Sequence, residues 1–172
     1  MKKIFLLLCM CIILPVSVKA EDALKIATLD VQEVLYTSEA GKKASSDFET
    51  LRKSKQSILD KKGEAIDKLK DELDKQASVL SLEAKKNKEN ELEQMLRDYQ
   101  RTAQDSQAEL KKKEAEVVEA ILKGIHAVAE KIGKEEGYTL ILERGLVIYS
   151  KKEVDITDKV LKEFNKTKVK TE

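Results

Sequence analysis

The sequence predicts an α+β protein that is mainly helical: a long antiparallel, coiled-coil-like helical hairpin on a small β-containing body. Three observations carry this reading. From about residue 40 to about residue 136 there is no proline, and nearly every residue is a helix former. Both flanks of that stretch carry short apolar runs of strand character. Charged residues make up 38% of the chain and aromatic ones 4%, which suits long exposed helices better than one packed globule.

In chain order, residues 1–20 read as a secretory signal peptide. Lys2 and Lys3 form the basic start, Ile4 to Leu14 the apolar run, and Val18-Lys19-Ala20 a cleavage site with small side chains at its first and last positions. Cleavage is expected after Ala20. The run is short for a membrane span. Both cysteines, Cys9 and Cys11, lie within it, so the mature chain is expected to hold no disulfide, thiolate nucleophile or Cys-bound metal. Leu8 and Met10 precede them, where a lipoprotein would need a small residue. Removing the signal takes away three lysines and leaves 30 cations against 32 acids. That balance gives no support to nucleic-acid binding, which rests on neutralising phosphates.

The mature chain, 21–172, reads as a single domain. Residues 24–39 and 133–165 form the body, and 40–132 the hairpin arm. Leu24 to Leu29 is a short strand. Asp30, with Glu33 three residues on, starts a short helical turn through Val31, Val34 and Leu35. Ser38 caps the next helix, with Gly41 in its first turn. Along that helix Leu59, Ile66, Leu73 and Leu80 recur at sevens, which draws a narrow apolar stripe down one face. Lys55 and Lys62 interrupt the stripe, and Gly63 costs roughly 1 kcal/mol of helix stability relative to Ala. A supple arm is expected.

The turn is placed near residues 76–81, with Ser78 or Ser81 capping the returning helix. Residues 84–89 are a rival site, but they lack Gly and Pro. On the returning helix Leu92, Leu96, Tyr99, Ala103, Ser106, Leu110 and Val117 step by fours and threes. From Val117 to Ile132 the stripe widens, as it does where a helix faces a core rather than one partner. Gly137 closes the helix. Residues 138–142 and 146–149 read as two strands joined at Arg144-Gly145, their continuous apolar runs implying burial on both faces. The stretch Asp155-Ile156-Thr157-Asp158 offers caps for a last helix bearing Val160, Leu161 and Phe164. Three short strands cannot close a core, which makes oligomerisation the expected remedy.

Nothing assembles into a catalytic, cofactor-binding or metal site, and no enzyme activity is expected. His126 is the only histidine and has no Cys beside it, so it reads as structural or as surface. Lys85-Lys86 and Lys111-Lys112-Lys113 are charged faces that could exert a weak attraction on anionic lipid head groups. Phe48 and Tyr99 read as packing in the coil. There is no Gly-rich phosphate loop.

The two ends of the chain carry a family resemblance. Lys25-Ile26-Ala27 leads to Asp30 and the long charged hairpin. The close is Glu136-Gly137-Tyr138, then Leu140, Leu142, Arg144-Gly145, Val147 and Tyr149, then Asp155-Ile156-Thr157-Asp158 with Val160-Leu161. This resembles the Skp/OmpH family of periplasmic chaperones over essentially the whole mature chain. The resemblance implies a jellyfish-like homotrimer, whose shared β body carries three hairpins around a cavity. It also implies an ATP-independent holdase that keeps unfolded outer-membrane β-barrel proteins from aggregating. A structural coiled-coil spacer of the cell envelope is the alternative reading.

Overall fold

The computed structural model describes residues 24–167; the signal-peptide reading lies outside them. Strand β1 (Ile26–Leu29) is followed by α1 (Val31–Thr37), α2 (Glu39–Gln76), α3 (Leu82–Glu136), β2 (Leu140–Glu143) and α4 (Thr157–Phe164), with 3-10 turns at Arg144–Leu146 and Lys152–Val154. The two long helices form the expected hairpin. At 1.5 Å per residue α2 is roughly 57 Å long and α3 roughly 82 Å, so the extra length of α3 runs into the body.

The helix boundaries follow from their caps. Asp30 accepts a hydrogen bond from the Glu33 N–H at 2.8 Å and opens α1. Ser38 accepts from Gly41 N–H at 3.1 Å and opens α2. Ser81, one of the two expected serines, accepts from Ala84 N–H at 3.2 Å and opens α3. The turn therefore occupies 77–81, and the rival segment 84–89 is helical. Gly137, at φ 69°, closes α3 in the left-handed conformation that glycine adopts without a Cβ penalty. Helix α4 opens within the expected stretch 155–158: its N-cap position is Ile156, and Asp155 accepts from the Thr157 N–H at 2.9 Å.

One core holds the body together. Ala27 and Leu29 of β1, Val34 and Leu35 of α1, and Ile156, Val160 and Phe164 at the C-terminus are buried against α3. The helix α3 contributes Ile121, Ile125, Val128, Ala129 and Ile132, the wide stripe expected there. Gly133 packs under β2, where a Cβ would rest in ordinary contact with Ile141 Cδ1 at 3.4 Å. Gly41 has a stricter role, because a Cβ there would sit 1.8 Å from the Leu35 carbonyl oxygen. Only glycine lets α2 turn away from α1 at that corner.

The sheet corrects the sequence reading. Its two strands, β1 and β2, pair in parallel, with Ile26 opposite Leu140 and Leu29 opposite Glu143. The second strand of the expected β-hairpin, 146–149, does not form. After β2 the chain tightens into the Arg144–Leu146 turn, and the Arg144 guanidinium lies 3.2 Å from Asp155, 3.6 Å from Glu33 and 3.9 Å from Asp30. The free edge of β1 is then taken by a bridge from Thr28 to Asp155. Residues 146–149 find no strand to join within one copy. Burial on both faces also fails for β2, whose Leu140 and Leu142 stay partly open.

Candidate interaction surfaces

The first surface is the arm. Of all its residues before Ile121, only Ile66, Leu69 and Ser106 are buried. Leu59 and Leu73 of the heptad stripe are half-covered, as are Leu92, Met95, Tyr99 and Leu110 opposite. Phe48 and Tyr99 sit at the seam as expected, Tyr99 against Gly63. The mid-arm seam is polar. Lys55 reaches across to Glu109, Lys62 is half-buried, and Ser106 takes a core position. Farther out Lys88 bonds Glu72 across the hairpin at 2.7 Å. The outer faces are laced with i,i+4 pairs such as Lys43–Asp47 and Lys123–Glu119. Exposed pairs of this kind add little stability each. An arm built this way has weak internal cohesion and a surface of mixed charge.

The second surface belongs to the body. Parallel register puts Ile26 beside Leu140 on one face of the sheet, and Leu142 beside Thr28. Ile26, Leu140 and Leu142 are open to solvent, and Leu24, Leu146, Ile148 and Tyr149 extend the exposed apolar area. Ile148 is fully exposed at 105%, a costly placement for an isoleucine on a single copy. The buried Thr28 hydroxyl finds no hydrogen-bond partner among the described residues. A shallow groove of about 470 Å³ runs between β2 and α3, with His126 on its lining. His126 is exposed and stands among Ala129, Glu130 and Gly133.

Where the arm leaves the body there is a smaller groove of about 240 Å³, lined by Leu35, Phe48, Leu51, Val117 and Ile121. At the opposite end, the hairpin turn exposes Val79 and Leu82. By residue type Leu82 is indistinguishable from the seam leucines, because exposure at the tip depends on where the turn falls.

Ion pairs tie the ends of the chain to each other around this body. Lys25 donates to the Glu136 carbonyl at 2.7 Å and lies 4.2 Å above the Tyr138 ring. Lys159 grips the Glu136 carboxylate at 2.6 Å, and Asn165 accepts from the Glu39 N–H at 2.9 Å. Glu163 receives both Lys131 and Lys166 at 2.8 Å, and these hydrogen bonds hold its carboxyl down to about 2. At Asp155 partial burial works the other way. The Thr157 hydrogen bonds and the Arg144 charge prevail and keep its carboxyl below the usual range. These groups act as clamps. Among the described residues no three His, Cys, Asp or Glu side chains are arranged to hold a metal ion. No described helix is long and apolar enough to cross a membrane.

Known proteins share this architecture. The family model for OmpH-like outer membrane proteins matches residues 25–164. A protein named chaperone protein Skp from Photorhabdus laumondii is 26% identical over 163 residues, covering 95% of this chain and 99% of the relative. A Skp-like protein from Pseudomonas aeruginosa is 27% identical over 147 residues, covering 83% and 84%. A crystal structure from Caulobacter crescentus, assigned as an OmpH-like outer membrane chaperone, superposes with a TM-score of 0.78 over 82% of this chain and 83% of that one. Its sequence identity of 18% makes that a likeness of fold. With the family model covering both ends and the hairpin between them, the chain belongs to the Skp/OmpH family of outer membrane chaperones.

Proposed function

We propose that this protein is a periplasmic, ATP-independent holdase that keeps unfolded outer-membrane β-barrel proteins from aggregating. Three copies share one β body, and their arms enclose the client. A signal peptide cleaved after Ala20 delivers the chain to the periplasm. The observation that carries the reading is the pairing of an almost coreless, mixed-charge arm with a body whose sheet face is left apolar and open. A holdase needs weak, distributed contacts that adapt to many chains, and the arm's thin seam supplies them. The open face of Ile26, Leu140 and Leu142, with Ile148 and Tyr149 beside it, gives the copies a surface to bury in each other. Lys85-Lys86 and Lys111-Lys112-Lys113 add a weak attraction for anionic lipid. Family membership supports the chaperone class.

The test is sedimentation of the mature protein with and without a urea-unfolded β-barrel protein diluted into buffer, alongside light scattering of the client. A trimer that takes the client into a discrete complex and suppresses its scattering is expected. A monomer, or a trimer that leaves scattering unchanged, defeats the proposal. Deleting residues 50–115 is expected to keep the trimer and abolish protection. An envelope spacer would give no protection even at full length.

A further inference from the structure

The outer arm closes on itself at one place, and a single sulfur atom sits there. Helix α2 buries only Ile66 and Leu69, at 4% and 8% exposure, and among the described residues nothing nearer the tip is buried. Contacts across the hairpin fix its register: Lys55 meets Glu109, Gly63 faces the Tyr99 ring, and Lys88 bonds Glu72 at 2.7 Å. That register puts Met95 level with Ile66, one helical turn from Leu92 and one from Tyr99. Met95 is partly covered, as are Leu73, Leu92 and Tyr99, while Leu96 beside it stays 37% exposed. This knot is the last apolar grip before the turn. Residues 21–172 contain no cysteine and no other methionine. Two-electron oxidation at sulfur therefore has one target in that part of the chain, and the target lies where the outer arm is held together.

We infer that Met95 is an oxidation site, and that its sulfoxide loosens the outer arm and raises its capacity to hold unfolded chains. The oxidant is of the hypochlorous acid class. In net terms the sulfur gives up two electrons and gains the oxygen, the O–Cl bond breaks, and chloride and a proton leave. The product carries a strong hydrogen-bond acceptor in place of an apolar sulfur. Ile66 and Leu69 offer that oxygen no donor, so it turns out to water and draws the side chain from the knot. The arm has little else to absorb the loss. Its mid-arm seam is polar, at Lys55, Lys62 and Ser106, and the Lys88–Glu72 bond is half open to solvent. The body core is out of reach, since Met95 lies roughly 40 Å along α3 from Ile121. Leucine would fill the same gap, and only methionine leaves it open to reversible oxidation. The gain in holding rests on the holdase reading, because a looser arm adapts to more of a client's surface. The loosening itself does not depend on client binding.

The test uses the full mature protein and stoichiometric hypochlorous acid, quenched with free methionine. Mass spectrometry should find one added oxygen, on the peptide that holds Met95. Amide exchange over residues 63–73 and 89–99 should then quicken about tenfold, the scale set by an unmet buried acceptor, with exchange over 121–132 as before. The two stereospecific methionine sulfoxide reductases, supplied with a dithiol, should reverse both changes. Light scattering of a diluted, urea-unfolded β-barrel protein should be suppressed at a lower ratio of chaperone to client after oxidation. Met95→Leu should match the unoxidised parent in exchange and protection, and oxidant should alter neither. Met95→Gln sets a permanent polar acceptor at the site and should behave as the oxidised protein with no oxidant present. That variant separates the sulfoxide from other oxidation products. The proposal fails if Met95 stays unoxidised while other side chains react, or if its sulfoxide leaves exchange in the outer arm as it was. A Met95→Leu variant that responds to oxidant like the parent also defeats it, as does a loosened arm whose existing protection does not rise. Where the unoxidised protein gives no protection at all, the holdase reading is what falls, and the exchange result alone decides the oxidation site.

Discussion

The body and the arm share helix α3 and obey different rules. In the body, α3 presents five buried apolar residues, Ile121, Ile125, Val128, Ala129 and Ile132, and elements from both ends of the chain pack on them. In the arm the same helix meets one partner across a seam where only Ser106 of its own residues is buried. The difference is one of neighbours. A helix touched from several sides can bury a wide stripe, and one touched from a single side buries little. The body therefore carries the cooperative stability, and the arm is held on to it at its root.

The largest effect expected from breaking this contrast is Phe164→Ala. Phe164 is 1% exposed in the body core, and its loss should cost about 3–5 kcal/mol, read as a drop in the urea midpoint. Leu59→Ala in the half-open seam should move that midpoint far less. Equal effects would mean that arm and body share one core.

A smaller effect should come from making the arm more like the body. Lys55→Leu with Lys62→Leu fills the polar mid-arm seam and should raise local stability by about 1 kcal/mol. Amide exchange over residues 50–66 and 95–113 should slow by about fivefold, with the body's exchange unaltered. If the arm's weak cohesion serves client holding, protection of unfolded clients should fall at the same time.

The smallest effect is expected from pH. The Glu163 carboxyl titrates at about 2 in the folded chain and in the ordinary range near 4.5 when unfolded. Its contribution is whole above the unfolded value and is lost as pH falls from about 4.5 towards 2. Glu163→Gln should therefore flatten part of the acid limb of the stability profile and leave the arm's exchange rates alone. An unchanged limb would remove Glu163 from the clamps that hold α4 on α3.

Much of this organisation was legible in the residues. The hairpin follows from composition and a stripe at sevens. Its turn is narrowed to the neighbourhood of Ser78 and Ser81, between which the residues do not choose, and its root follows from the widening at Val117. Asp30, Ser38 and Gly137 placed their helix ends correctly because caps are local, acting over three or four residues. The strands were harder. Residues 138–142 and 146–149 look like a hairpin when read side by side, but Arg144 is drawn to Asp30 and Glu33, more than a hundred positions earlier. The exposed tip was also hidden, since Leu82 has the same residue type as the seam leucines and differs only in lying outside their reach.

By itself the sequence determined the periodic part of this protein: two long helices, their caps, the thinness of the seam between them and the broad apolar face at their root. Those features depend on spacing along the chain. Tertiary structure decided the parallel pairing of β1 with β2, the unpaired state of 146–149 and the open sheet face. Each of those depends on which distant segment reaches an edge first, and a strand's hydrogen bonds carry no record of their partner in the strand's own residues.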